Sequence, residues 1–262
     1  MGLKTSMMQQ IDEGGVPAVV RAKAILDLVA QSQPAPHVSE IARQLGLPKS
    51  SVHGLCNTLV SLGLLSRLGP GTFGLGGHLM VWANAFAAKS DMISSFLRLW
   101  GETPELQRHT VTLSTLDGAD VTYIACKEGM APLGITFRIG MRLPAAFTAT
   151  GKAMLTTHAK ADIAALYAEG MPEPLTRMSV RNLDDLLGEI EITRQRGYSV
   201  DNCQVREGMY CYGAPIMGFA SPRAIGGIAI SVLEGEATAD TERVVGGLAR
   251  DCAAKLSRAL GG

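Results

Sequence analysis

Five side chains suited to phosphates and base edges fall within nine residues: Lys49, Ser50, Ser51, His53 and Asn57, in the segment "PKSSVHGLCNTLVSLG". A cation, two hydroxyls, an imidazole and a carboxamide supply short donors and acceptors of the kind that enter a DNA major groove. Reactive types elsewhere are scattered. Cys211 and Ser231 are available as nucleophiles, and there are five histidines, His37, His53, His78, His109 and His158. None stands at a recognisable spacing from an acid, and no G-x-S-x-G, phosphate loop or metal triad appears. "GPGTFG", residues 69–74, has the glycine pattern of a dinucleotide-binding loop, but the preceding strand is short and no strand–helix–strand unit follows; it reads as a hairpin turn. Cys56, Cys126, Cys203, Cys211 and Cys252 show no C-x-x-C or zinc spacing, which predicts reduced, mostly buried thiols. Enzymatic chemistry, a metal site and an organic cofactor are therefore not expected.

The elements that must hold the first cluster are legible from periodicity. Apolar residues at helical spacing predict helices over about 16–30, 38–45 and 49–62, with Pro34 and Pro36 forbidding helix between the first two. Gly63 is placed to end the third helix. The pattern then changes period, and "LLSRLGPGTFGLG" reads as strand, tight turn, strand. Helices follow from near Gly77 and from Asp91, read as an N-cap, with Ile93, Phe96, Leu97 and Trp100 inward. From Thr110 the chain is β-rich ("TVTLSTL", "VTYIACKE", "PLGITFRI"). Helices near 151–158, 159–168 and 183–196 come next, then strands near 198–204 and 224–233. A last helix over 240–260 carries Val244, Leu248, Cys252, Leu256 and Leu260 as its stripe. The fold class is α+β. The domains expected are a disordered segment 1–15, a DNA-binding domain 16–76, linker helices 77–108 and a second domain 109–262.

Residues 38–62 have the form of a helix-turn-helix. Ala42 sits where two helices cross closely, Gly46 makes the turn, and Val52 and Leu55 plug the space between. The hairpin then reads as a wing, with Arg67 reaching toward the DNA backbone. Residues 16–76 carry five cations against two carboxylates, a net charge of +3. That is modest where affinity comes from neutralised phosphates, so two or more copies must act together. The whole chain is neutral, the N-terminal stretch lacks a signal-peptide pattern, and no apolar run of about 18 residues appears, so neither export nor a membrane partner is expected.

"SEIARQLGLPKSSVHGLCNTLVSLGLLSR" followed by "TFGLG" resembles the winged helix-turn-helix of the IclR family of bacterial transcription regulators. The resemblance continues through "LPAAFTATGKAML", "RGYSVDNCQVREGMYCYGAPI" and "AIGGIAISV", over about residues 16–260. It implies a cytoplasmic regulator with a GAF-like effector domain, an antiparallel sheet flanked by helices. It also implies dimers through the DNA-binding domains, often assembled into tetramers, and binding of double-stranded operator DNA and a small organic effector. Carried over position by position, it implies an effector site of Ile135, Leu143, Ala149, Thr150, Asp201, Met209, Cys211 and Ser231.

Those residue types suit the task. Ala149-Thr150-Gly151 opens a helix whose first amides fit a carboxylate or carbonyl oxygen, and Thr150 adds a hydroxyl. Asp201 and Ser231 suit a polar edge, while Ile135, Leu143 and Met209 supply apolar walls. Asp201 also reads as a turn residue, and Cys211 as a buried apolar one. Two positions depart from the family pattern. Gly54 stands where the recognition helix commonly carries arginine, which leaves base reading to Ser50, Ser51, His53 and Asn57 with Lys49 on phosphate. Leu233 stands where some relatives that bind keto acids carry serine, which predicts an effector less polar than a dicarboxylate: a semialdehyde, a lactone or an aromatic acid. A ligand-binding protein with weakened DNA affinity is the alternative that Gly54 keeps open, ahead of an enzyme.

Overall fold

The computed structural model describes residues 16–129, 137–219 and 221–262. The expected disordered segment 1–15, the effector-site candidate Ile135 and most of the strand expected over "PLGITFRI" lie outside the described residues. The chain divides into two compact units after Lys89.

The first unit opens with α1 (Pro17–Gln31), α2 (Val38–Leu45) and α3 (Lys49–Ser61). Pro at the start of α1 costs nothing, because the first helical amides have no intrahelical partner. The start of α2 was not legible as a cap. His37 Nδ1 accepts from the Ser39 amide at 3.3 Å, and the Glu40 carboxylate accepts from the His37 amide at 2.9 Å. Gly46 ends α2 at φ 65°, the left-handed turn that separates the two crossing helices. Ile25, Ile41, Val52 and Cys56 meet in the core with Phe73 from the wing, all fully buried. The wing is β1 (Leu65–Gly69) and β2 (Thr72–Leu75), antiparallel. β2 is tied to the approach to α2 by Phe73 N–H to Pro36 O at 3.2 Å and Val38 N–H to Gly71 O at 2.8 Å. A Cβ on Gly76 would stand 2.0 Å from the Gly63 carbonyl oxygen, so the wing's exit and the end of α3 touch backbone to backbone. Helix α4 (His78–Ala88) follows and buries none of its residues.

The second unit is built on a six-stranded antiparallel sheet of order β5-β4-β3-β8-β7-β6. Its strands are β3 (Thr110–Asp117), β4 (Asp120–Lys127), β5 (Arg142–Pro144), β6 (Ser199–Asn202), β7 (Met209–Ile216) and β8 (Gly226–Leu233). One face packs on α5 (Asp91–Glu102) and α9 (Ala239–Ala259) through Phe96, Val111, Leu113, Ile228, Ile230 and Leu256. The other packs on α6 (Ala149–Leu155), α7 (Lys160–Leu166) and α8 (Leu183–Arg196) through Val121, Phe147, Met154, Leu186 and Ile190.

Four sequence expectations need correction. β7 is a central strand that was not expected, because Gly213 and Pro215 argue against one; Pro215 is accommodated opposite Gly227 near the end of the strand. Ser90, not Asp91, caps α5: its hydroxyl accepts from the Ile93 amide at 3.3 Å, and Asp91 lies in the first turn. Leu97 faces solvent, and Ser95 and Leu99 turn inward instead. In α9 the buried stripe runs through Val245, Ala249, Cys252 and Leu256, one residue out of phase at its start, so Val244 is exposed. Gly246 explains the phase: a Cβ there would stand 2.4 Å from the Tyr198 ring.

Candidate functional site

The first candidate surface is the solvent face of α3. Pro48 precedes the helix and no side chain caps it, so its opening amides are open to solvent. Val52, Cys56 and Leu59 turn inward, which leaves Lys49, Ser50, Ser51, His53 and Gly54 exposed along the other face. Lys49 makes no ion pair with any described residue. His53, Asn57 and Arg67 are joined instead. Asn57 Nδ2 lies 3.3 Å from His53 Nδ1, and the Arg67 guanidinium donates to Asn57 Oδ1 at 2.6 Å. Arg67 also lies 5.6 Å from the centre of the Phe73 ring. The wing cation is thus held against the recognition helix rather than extended. A Cβ on Gly54 would meet no atom within 4 Å and its φ is ordinary, so neither packing nor backbone conformation requires glycine there.

The second candidate site lies between α6 and the sheet. Register places Asp201 opposite Cys211, Cys211 opposite Ser231 and Ser231 opposite Thr110, one polar row across β6, β7, β8 and β3. Cys211 Sγ and Ser231 Oγ are 3.1 Å apart. Beside it runs a second row, Ser199, Gly213, Ala229 and Thr112. Gly213 lets α6 rest on the sheet, since a Cβ there would stand 2.7 Å from the Ala149 carbonyl carbon. Ser199 then donates to the Ala149 carbonyl at 2.5 Å. All seven residues of α6 are buried. Thr148 accepts from the Gly151 amide at 3.0 Å, and Ser114 donates to Thr150 Oγ1 at 2.8 Å. The amides of Ala149 and Thr150 have no partner within the helix. Met209 is buried in the same apolar cluster and Leu143 packs on its margin.

The charges in this region are arranged around Asp201. Its Oδ1 accepts from the amides of Gln204 at 2.7 Å and Val205 at 3.3 Å. Burial pushes its carboxyl up to about 6, against the pull of Lys152 and those two amides. Lys152 is fully buried and donates to Glu189 at 2.6 Å; Gln204 Nε2 binds the other Glu189 oxygen at 2.7 Å. Burial, and after it the Asp201 charge, hold the Cys211 thiol well above its ordinary range, so it is protonated and not a nucleophile. Among the described residues no histidine hydrogen-bonds Ser231 or Cys211.

Of the sequence candidates within the described residues, Thr150, Asp201, Cys211 and Ser231 converge with Ala149 and Met209 on one side of the sheet, and Leu143 lies at its margin. Leu233 pairs with Met209 at the end of β8 and is 41% exposed, so buried polarity here is set by other side chains. Sequence reasoning missed Thr110, Thr112, Ser114 and Lys152. The alternating "TVTLST" was the available signal, but period-two polar residues read as a solvent face, and these are buried beneath helices.

The comparisons with known proteins agree with both halves. The IclR helix-turn-helix domain model matches residues 18–69, and the bacterial transcriptional regulator IclR C-terminal model matches residues 87–258. The repressor BlcR of Agobacterium tumefaciens is 43% identical, with 94% of this chain and 98% of that chain covered and a TM-score of 0.62. The regulator XynR of Escherichia coli is 27% identical over 83% of this chain and 86% of its own length. An IclR homologue from Microbacterium hydrocarbonoxydans, solved with 4-hydroxybenzoate, is 18% identical and shares the fold at a TM-score of 0.75, covering 93% of this chain and 98% of its own. This chain belongs to the IclR family of bacterial transcriptional regulators.

Proposed function

We propose that the protein is a ligand-responsive cytoplasmic repressor that binds a pseudo-palindromic operator as a homodimer or homotetramer. Residues 16–76 form the DNA-binding domain, 77–108 the connecting helices and 109–262 the GAF-like effector domain. Lys49 meets phosphate, Ser50, Ser51, His53 and Asn57 meet base edges, Gly54 lets the backbone approach, and Arg67 leaves Asn57 for the DNA backbone. The exposed apolar side chains of α4, Met80, Val81, Trp82 and Phe86, support a second copy lying against it.

The observation that carries the effector reading is the buried polar row Asp201, Cys211, Ser231 and Thr110 beneath α6. Thr150 and Ser231 supply hydroxyls to a small organic molecule, Asp201 accepts from its hydroxyl or holds its polar edge, and Met209 with Leu143 forms apolar wall. The one buried cation among the described residues, Lys152, is already paired with Glu189, and Asp201 adds negative charge. A dianion is disfavoured there, which supports a semialdehyde, lactone or aromatic acid. Ligand binding shifts the balance between domain arrangements and so the affinity for DNA. Thermal-shift titration tests this directly: neutral or monoanionic compounds stabilise the protein more than succinate does, and a preference for succinate contradicts it.

A further inference from the structure

Tyr123 is a buried phenol that neither the sequence candidates nor the family resemblance assigns. It lies on β4 opposite Ser114 and is 4% exposed. Its side chain joins the cluster of Met209, Cys211, Ala149 and Phe147, on the side of the sheet that carries the polar row. The Phe137 ring packs beside it at 5.2 Å between centres. Among the described residues the Tyr123 hydroxyl makes no hydrogen bond, and it is not fully enclosed, since Tyr167 carries the one enclosed orphan hydroxyl there. Burial, and after it the nearby Cys211 thiol and Asp201 carboxylate, hold the proton on the phenol. β3 and β8 separate β4 from β7, a span of roughly 14 Å at ordinary strand spacing. A phenol rooted on β4 covers only part of that span, which leaves room for a small molecule between it and Asp201 on the same side of the sheet.

We propose that Tyr123 is a specificity-determining residue of the effector site, donating its phenolic hydrogen to an oxygen at one end of a compact effector whose other, hydroxyl-bearing end meets Asp201. This rests on the effector-site reading above and deepens it: the site selects molecules with an acceptor oxygen at one end and a donor at the other. A protonated phenol is a donor to carbonyl or carboxylate, while Asp201, with two amides already on one oxygen, accepts. A site built to bond an oxygen rejects analogues that lack it, because its own polar group is then left unpaired.

The test compares wild type with Tyr123→Phe by melting and by thermal-shift titration with two probe sets. The aromatic set is 4-hydroxybenzoate, 4-hydroxybenzamide and 4-methylphenol; the aliphatic set is 5-hydroxypentanoate and 1-pentanol. Tyr123→Phe is expected to melt at or above the wild-type temperature, because its lost hydroxyl has no protein partner. In the wild type, probes with the acceptor oxygen bind at least about tenfold tighter than those without in one set or both, and in Tyr123→Phe the gap falls to within about twofold. A Tyr123→Phe variant that melts several degrees lower overturns the inference, since the hydroxyl then has a structural partner. So does a preference that survives the substitution, or no preference in the wild type. Thr150→Val separates the two levels: if it weakens every probe while Tyr123→Phe leaves the gap intact, the effector site stands and the role of Tyr123 falls.

Discussion

Helices α3 and α6 both carry threonine or serine with lysine near their N-termini, yet their polar groups meet opposite fates. In α3, Lys49, Ser50, Ser51 and His53 face solvent over a conventional apolar stripe. In α6, Thr150 and Lys152 are as buried as Met154 and Leu155. A helix that meets a polyanion keeps its cation hydrated until binding, and released counterions supply the driving force. A helix that meets a small molecule must take its polar groups out of water beforehand, and each then needs a partner. Ser114 serves Thr150, Glu189 serves Lys152, and two amides serve Asp201. The first surface is therefore tolerant of substitution in the free protein, and the second is not.

The largest effect expected concerns the proposed pairing of two copies through α4. Trp82→Glu on α4 is expected to give monomers by sedimentation and to lower operator affinity about 100-fold or more, with little change in unfolding free energy. A dimer that persists with unchanged DNA affinity breaks the proposed role of α4. Next in size is Lys152→Met. It leaves Glu189 with Gln204 but without its cation and is expected to cost about 2–3 kcal/mol in urea denaturation, less than a fully buried pair because Glu189 is 33% exposed. Lys49→Met in α3 is expected to change stability by under about 0.5 kcal/mol while reducing the salt slope of DNA binding by about one. Equal costs at both lysines would erase the contrast.

Asp201 gives the contrast a pH signature. Its folded carboxyl titrates near 6 and its unfolded one near 3.8, so the folded state holds the proton more tightly. Stability from this group is fully present below about 3.8 and is lost as pH rises through about 6, a change of about 3 kcal/mol at most. Asp201→Asn is expected to flatten the melting temperature between those values, and an unchanged slope would show that another group carries it. Gly54→Ala acts on the first unit and in the opposite direction. The new methyl meets open space, so the first unit is expected to gain up to about 1 kcal/mol by thermal denaturation. Loss of DNA binding in that variant, with stability gained, would show that glycine is kept for backbone approach to DNA.

The two surfaces also differ in how far the sequence reveals them. The helix-turn-helix is local: Ala42, Gly46, Val52 and Leu55 lie within one continuous stretch, and period 3.6 exposes the polar face directly. The proposed effector site is assembled from α6 and four strands far apart in sequence, and only resemblance brought Thr150, Asp201, Cys211 and Ser231 together. Burial on both faces of the sheet hid the rest. Thr110, Thr112 and Ser114 look like a wet strand face, and β7 looks broken by Gly213 and Pro215, although that glycine is what admits α6. His37 was hidden for another reason: histidine is an uncommon helix cap, and its role depends on Glu40 answering it.

The most direct test is fluorescence anisotropy of the purified protein on DNA segments flanking its own gene, repeated across salt concentrations and beside Gly54→Arg. Tight binding to one segment by the wild type, with affinity falling steeply as salt rises, is the result predicted. Equal, weak binding to every segment by the wild type, with selective binding only by Gly54→Arg, would contradict a functioning repressor and leave a ligand-binding protein whose DNA reader is disarmed.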